Sequence, residues 1–380
     1  MREIDYRWDN NEYKAIQRVI KSGCFTMGKE VKEYEENIAE YFNRKYAVMV
    51  NSGSSANLIA VAAMIYSKKI NLFPGDEVIV PTVSWATTYA PLQQYGLKLI
   101  FVDVSEKNYN LNIDILEKAI TERTKLVVAV NLLGNALDYE RLNKIIQKKG
   151  LYLMVDNCES IGGKFNNRHL EEYGIIATIS TFFSHHINTM EGGVALTDSE
   201  EIYNIMKSIR SHGWTRNTCF SAGRSDFYSE YTFLYPGYNV RPLEIEAAIG
   251  KCQLKKLNKF IEIRRKNAQI YKTFFENHKY VKIQSEEGES SWFGFAFILK
   301  EEAPYSRDSV IKQLEKQGIE SRPIVAGDFL KNPAIKYFDY MLKGEDRVAK
   351  MIHERGFFIY NDILDMSERF DILDKILGKK

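Results

Sequence analysis

Cysteine is scarce: the four in these 380 residues, Cys24, Cys158, Cys219 and Cys252, stand far apart. No two have the short spacing of a zinc site, a compact iron–sulfur motif or a disulfide framework, so they read as reduced thiols and no metal site is expected. An excess of either charge is also missing. Lys and Arg number 52 against 50 Asp and Glu, a net +2, which supplies no basic field for nucleic acid. No apolar run approaches the roughly 18 residues of a membrane span. The opening Met1-Arg2-Glu3-Ile4-Asp5-Tyr6 has no apolar signal segment. Neither a membrane partner nor export is therefore expected, and the expected compartment is the cytoplasm. No low-complexity tract, solenoid repeat or Pro/Gly/Ser-rich linker interrupts the chain, which excludes loosely tethered modules.

What is present is ordinary globular material, 45% hydrophobic and 27% charged, with an alternation of strand-like and helix-like segments. The apolar run Tyr46–Val50 breaks into Asn51-Ser52-Gly53-Ser54-Ser55-Ala56-Asn57, and Leu58–Tyr66 is rich in helix formers, so strand, turn and helix are predicted in that order. Further strands are predicted at Glu77–Val80, Leu99–Val102, Lys125–Val130 and Leu151–Val155, separated by amphipathic stretches such as Asn112–Ile120 and Leu137–Lys148. This rhythm implies an α/β protein whose mostly parallel sheet is covered on both faces. Ile179–Phe183 and Val194–Thr197 read as two more strands. A long helix is predicted over Ala248–Phe275. Beyond it a smaller α/β domain is expected, with strands at Ser291–Ile298 and Ile319–Arg322 around a helix from Arg307 to Gln317. The expected division is a large domain over 23–247 and a small one over 248–380, joined rigidly. The opening helix near Asn11–Ser22, within 1–22, is assigned to the small domain.

Several polar groups fall where such a sheet binds ligands. The Ser/Gly turn 51–57 offers backbone N–H groups and a helix N-terminus to an anion, although a turn with an N-cap needs the same residues. Asp156 follows a strand, where a carboxylate could keep a pyridine nitrogen protonated or simply cap the strand end. Trp85 follows another strand end and could stack on an aromatic ring or belong to the core. His185 and His186 are adjacent, which suits no usual metal spacing. They sit 29 residues after Asp156, on a turn that ends in Glu191-Gly192-Gly193. Gly237–Glu244 contains Asn239 and Arg241, the latter suited to a carboxylate, a phosphate or a structural ion pair. His212-Gly213-Trp214-Thr215-Arg216 is a further polar and aromatic cluster.

Taken in order, from Phe25-Thr26-Met27-Gly28 through Arg322-Pro323, these pieces resemble the DegT/DnrJ/EryC/StrS aminotransferase family, which covers nearly the whole chain. The resemblance implies a fold-type-I aminotransferase-like architecture with pyridoxal 5'-phosphate or pyridoxamine 5'-phosphate as cofactor. It places the phosphate near Gly53, Ser54 and Ser180, the pyridine nitrogen on Asp156, and Trp85 and Glu159 beside the ring. Asn239 and Arg241 would reach in from a second subunit of an obligate homodimer. Phe25, Thr26, His212, Arg216, Arg241 and Arg322 would contact the substrates.

One departure from that pattern matters most. Between Asp156 and Gly192 the only lysine is Lys164, and the position of the tethering lysine reads Ser184-His185-His186. Imidazole can shuttle protons but cannot hold the cofactor as a Schiff base. The departure resembles the family's histidine-bearing branch, which implies catalytic His185, L-glutamate as amino donor, and 3-dehydration of a GDP-linked 4-keto-6-deoxy sugar. The sugar could be a hexose or a heptose. Alternatives are a nucleotide-sugar 4-aminotransferase whose lysine has moved, a CDP-sugar 3-dehydrase that would need clustered cysteines, and an inactive nucleotide-sugar binder.

Overall fold

The computed structural model describes residues 7–216, 218–221, 228 and 231–378. The segment Met1–Tyr6, read above for the lack of a leader, lies outside them. Helices α1 (Asn10–Ser22) and α2 (Lys29–Tyr41) precede strand β1 (Tyr46–Val50). Then come α3 (Gly53–Tyr66), β2 (Glu77–Pro81), α4 (Ala86–Gln94), β3 (Lys98–Val102), α5 (Ile113–Ala119), β4 (Thr124–Val130), α6 (Tyr139–Lys149) and β5 (Tyr152–Asp156). A hairpin, β6 (Lys164–Phe165) and β7 (Arg168–His169), leads to β8 (Ile176–Ser180), β9 (Gly193–Thr197) and α7 (Glu200–Arg210). The 32-residue α8 (Glu244–Phe275) carries the chain to β10 (Val281–Ile283), β11 (Gly294–Leu299) and α9 (Arg307–Lys316). Last are β12 (Tyr340–Lys343), α10 (Arg347–Arg355), β13 (Gly356–Tyr360) and α11 (Ser367–Ile376).

Eight strands form one sheet in the order β1-β9-β8-β5-β4-β2-β3-β12, and the mostly parallel sheet expected from the sequence is observed. β9 runs antiparallel to both its neighbours. Alternate residues of β4 feed two different cores: Val127 and Ala129 face one apolar cluster, Leu126 and Val128 the other. Helices therefore cover both faces, which is why these strands read as continuous apolar runs. The parallel strands β1, β2, β5 and β8 point their carboxyl ends the same way, bringing Ser52, Trp85, Asp156 and Ser180 to one edge.

A second sheet, β10-β11-β13, packs on the end of α8 with α9 and α11 around Tyr271, Phe275, Phe295, Leu314 and Phe370. Another apolar cluster joins the two sheets, uniting Leu132 and Leu133 with Phe293, Ile298, Ile324 and Phe358. α1 packs on α8 through Ala15, Val19 and Ala248. No described helix is long and apolar enough to cross a membrane.

Local departures from expectation have physical causes. Ser291–Phe293 is not strand, because Trp292 takes a left-handed φ of 49° and the backbone N–H groups of Ser291 and Phe293 donate to Gly134 and Leu133 instead. Ile319–Arg322 is reduced to a single bridge between Arg322 and Phe358, since Pro323 has no N–H to continue a ladder. β12, from within residues 248–380, pairs with β3 on the edge of the large sheet. α2, α4, α7, α10 and α11 escaped the sequence reading, α4 because Pro91 stands inside it. The Thr87 carbonyl that Pro91 cannot satisfy accepts from Asn57 Nδ2 at 3.3 Å.

Candidate active site

The carboxyl ends of the strands open into a cavity of about 520 Å³, closed on the far side by Phe293, Arg322, Pro323, Val325, Phe358 and Tyr360. Its floor is wired around Asp156, which is 5% exposed. Asp156 Oδ2 accepts from Asn57 Nδ2 and Thr88 Oγ1, both at 2.8 Å, and Oδ1 from the Cys158 N–H at 3.1 Å. The Thr88 hydroxyl has one proton and spends it on Asp156, so Ser84, 2.8 Å away, must be the donor to Thr88. Thr178 Oγ1 donates to Asn57 Oδ1 at 2.6 Å and thereby fixes the amide's orientation. A carboxylate held this way presents a preset negative charge to the cavity.

An anion cradle adjoins it. Ser52 caps α3 by accepting from the Ser55 N–H, and Gly53 and Ser54 open the helix with the positive end of its dipole. A side chain at Gly53 would put its Cβ 2.6 Å from Ser180 Cβ and 3.0 Å from Cys158 Sγ, so glycine is required. Gly193 is explained by the same loop, since a Cβ there would meet the Ser52 backbone at 2.4 Å, and Gly192, at φ 147°, by Thr181 Oγ1, which a Cβ would also meet at 2.4 Å. Ser54 Oγ reaches Thr87 Oγ1 at 3.1 Å, and Trp85, 58% exposed, stands at the cavity edge.

The turn bearing the two histidines contributes to the same lining. His185 lines the cavity; its Nδ1 lies 3.5 Å from Ser184 Oγ and its ring packs 5.0 Å from Phe293. Burial, reinforced by the Arg7 and Arg264 guanidiniums, pushes its pKa down to about 3, so the ring is neutral at pH 7 and able to accept a proton. His186 is fully buried, with Nε2 3.1 Å from the Ser291 carbonyl, and does not line the cavity. Burial raises the Glu159 carboxyl to about 7, against the Leu133 N–H that donates to it at 3.0 Å.

The cavity thus gathers Gly53, Ser54, Trp85, Asp156, Glu159, Ser180, His185 and Arg322. It does not gather Phe25, Thr26, Asn239, Arg241, His212 or Arg216 of the same chain. Phe25, Thr26, Arg216 and Asn239 are exposed and His212 and Arg241 half-buried; Thr26 Oγ1 donates to Pro242 O at 3.2 Å, Arg241 Nε to Asn239 Oδ1 at 3.0 Å, and the His212 N–H to Tyr238 O at 2.7 Å. Asn57, Thr88, Phe293 and Tyr360 were missed. Asn57 was read only as the last residue of the turn, whereas the helix already begins at Gly53; Thr88 sits on a helix the sequence did not reveal, and the last two come from a distant part of the chain.

The donor set fits pyridoxal phosphate: a carboxylate for the ring nitrogen, an aromatic plate, and a helix N-terminus whose glycine leaves room for phosphate. A tethering amine is not among the lining residues. Lys164, the lysine nearest in sequence, lines a different cleft with Tyr41, His169 and Arg265.

Comparison with known proteins bears on this site. The model of the DegT/DnrJ/EryC1/StrS aminotransferase family matches residues 7–359. A GDP-4-keto-6-deoxy-D-mannose 3-dehydratase from Yersinia pseudotuberculosis is 52% identical over 379 residues, 98% of this chain and 96% of that protein. The E. coli GDP-4-keto-6-deoxy-D-mannose 3-dehydratase with bound hydrated pyridoxal phosphate superposes with a TM-score of 0.95 at 48% identity, covering 98% of each chain. A structure of GDP-4-keto-6-deoxymannose 3-dehydratase with a trapped pyridoxal phosphate–glutamate geminal diamine matches equally, with TM-score 0.95, 48% identity and 98% of each chain.

Proposed function

Because this chain belongs to the DegT/DnrJ/EryC1/StrS aminotransferase family, we propose that it is a lyase dependent on pyridoxal and pyridoxamine phosphate, a 3-dehydratase of a GDP-4-keto-6-deoxy sugar that uses L-glutamate as amino donor. The observation that carries this reading is a neutral imidazole, His185, in a cavity that no lysine among the described residues lines. The product is a GDP-4-keto-3,6-dideoxy sugar of the kind built into surface polysaccharide. Its oxygen balance closes: the sugar loses one oxygen while glutamate becomes 2-oxoglutarate and ammonia.

When bound, the cofactor carries the amino group to carbon 4 of the sugar and acts as the electron sink. Asp156 would hold the proton on its ring nitrogen, and Trp85 and Glu159 would contact the ring. Gly53, Ser54 and Ser180 would bind the phosphate. His185, with Nδ1 turned toward Ser184, accepts a proton at Nε2 and returns it as imidazolium to the departing 3-hydroxyl, which leaves as water. Phe293, Phe358 and Tyr360 keep bulk water from the step. A lysine at this position would favour proton delivery to carbon 4, and an amino sugar would result.

Asn239 and Arg241 lie outside the chain's own cavity, and we assign them, with Phe25, Thr26, His212 and Arg216, to the substrate side of a site shared across a cytoplasmic homodimer. Arg322 joins them from within the cavity. The test is to incubate the protein with pyridoxal phosphate, L-glutamate and a panel of 4-keto-6-deoxy nucleotide sugars, hexose and heptose, and to weigh the products. A GDP-sugar lighter by one oxygen, with ammonia released, is expected. An amino sugar would replace this reading with a 4-aminotransferase.

A further inference from the structure

His185 makes little use of its own side chain to stay in place, since among the described residues the hydrogen bond to its ring is the 3.5 Å contact with Ser184. Its direction must come from the backbone beneath it and the rings beside it. That backbone is gripped by a residue far away in sequence. Arg7, 4% exposed, donates through Nη1 to the carbonyl of His185 and through Nη2 to that of Phe183. A rigid guanidinium fork suits two carbonyls this close together, and an ammonium would not span them in the same way.

The arm bearing Arg7 is itself fixed at several points. Trp8 Nε1 donates to the Asn188 carbonyl at 3.1 Å, three residues past His185. The Arg7 carbonyl accepts from Gln253 Nε2 at 3.0 Å and Lys256 Nζ at 3.2 Å, both on α8. Those two side chains also bind the fully buried Glu12 carboxylate at 2.8 and 2.7 Å. Arg264, also on α8, holds the carbonyls of Trp292 and Phe293 at 3.3 Å, and Phe293 is the ring against His185. We propose that Arg7 is a positioning residue for His185, setting the imidazole's aim through the backbone of its turn and touching neither substrate nor cofactor.

The proposal rests on His185 as the proton carrier, and its electrostatic side can be read without turnover. His185 faces Arg7 on the arm, Arg264 on α8 and the neutral His186 in its own turn. Glu191 lies at the end of that same turn, and Asp156, Glu159, Arg322 and Tyr360 also line the cavity. Burial and the two guanidiniums depress its pKa, so removing the Arg7 charge must move the titration upward.

The test compares Arg7→Met and Arg7→Lys in the full chain. Arg7→Met should lower kcat about a hundredfold, with the sugar KM and the pyridoxal phosphate dissociation constant within about twofold. Arg7→Lys, which keeps charge but loses the fork, should lower kcat about tenfold. In the cofactor-free protein, the carbon-13 titration of His185, assigned with His185→Asn, should shift to higher pH in Arg7→Met. A folded Arg7→Met with wild-type kcat and titration overturns the proposal. So does a loss of activity that follows weaker cofactor binding and a lower Tm while the titration stays put, because that describes structural support alone. If Arg7→Met does not fold, Arg7→Lys decides, and wild-type kcat there overturns it. A wild-type protein that deoxygenates no sugar defeats the proposed function, whereas the titration still reports on Arg7.

Discussion

The two ends of the cavity are built on opposite plans. Asp156 is held by three donors at 2.8 to 3.1 Å, and two of them are themselves fixed by Ser84 and Thr178. His185 has a ring with one long hydrogen bond and aromatic neighbours, its restraint lying in the backbone. A group whose task is to present a fixed charge gains from having most of its lone pairs satisfied in advance, with one left for the ligand. A group that must accept and release a proton in sequence cannot be saturated, because each partner would compete for the proton it moves. Substitution should therefore act on different observables at the two ends: chemistry at His185, and folding with cofactor retention at Asp156.

The largest effect tests the loosely held end. His185→Asn should reduce product formation by about 10²- to 10⁴-fold, the usual worth of a positioned acid–base group, while the cofactor's absorbance shows that it still binds. Product mass against time is the measurement, and substantial deoxygenation by the variant would break the contrast. Next comes the wired end. Asn57→Ala removes a donor from Asp156 and leaves the Thr87 carbonyl, already deprived by Pro91, without its amide partner. Unfolding free energy from urea titration should fall by about 1–3 kcal/mol. Ser184→Ala, the matching deletion at the other end, should cost far less.

How much of this was legible in the sequence divides along the same line. The strand-to-helix rhythm exposed the parallel sheet, and residues at or just past strand ends, Gly53, Trp85 and Asp156, stood out because α/β sheets bind there, whereas Ser180 was reached only through the family resemblance. His185 was visible as an imidazole where a lysine was expected. The network that supports Asp156 was not visible, since Asn57 and Thr88 lie inside helices and α4 is disguised by Pro91. Nor could periodicity reveal that Phe293 and Tyr360 close the cavity, because their approach depends on how the second sheet seats against the loop at Leu132–Gly134. The Arg7 grip on the histidine turn joins residues 178 positions apart and leaves no local signal.

A smaller effect separates the two ends by pH. His185 has a folded pKa depressed to about 3, so the unfolded chain binds the proton first as pH falls below about 6.5. The histidine therefore withdraws stability between pH 6.5 and 3 and has no effect above that window, by at most about 1.4 kcal/mol per pH unit. Glu159 works in the reverse direction. Its folded pKa is raised to about 7, so its burial penalty fades as pH falls from 7 toward 4.5. Total stability mixes the two signs, but the difference between wild type and His185→Asn isolates the imidazole. That difference should move steadily against wild type from pH 6.5 to 4.5 in urea unfolding. A flat difference would mean that the ring is solvated and its turn looser than described.

The smallest expected effect is none at all, and it bears on the absent tether. If some lysine anchored the cofactor from an unusual place, Lys164 would be the candidate in this stretch of sequence, yet β6 carries it to a cleft shared with Tyr41, His169 and Arg265. That cleft shares no lining residue with the cavity holding Asp156 and His185. Lys164→Ala should therefore leave the cofactor's absorbance, its dissociation constant and the rate of deoxygenation unchanged, and borohydride should fix no cofactor to either protein. A covalent adduct in wild type that vanishes in Lys164→Ala would place an amine in the site after all. The loosely held imidazole would then no longer be the feature that separates this cavity from that of an amino-transferring enzyme.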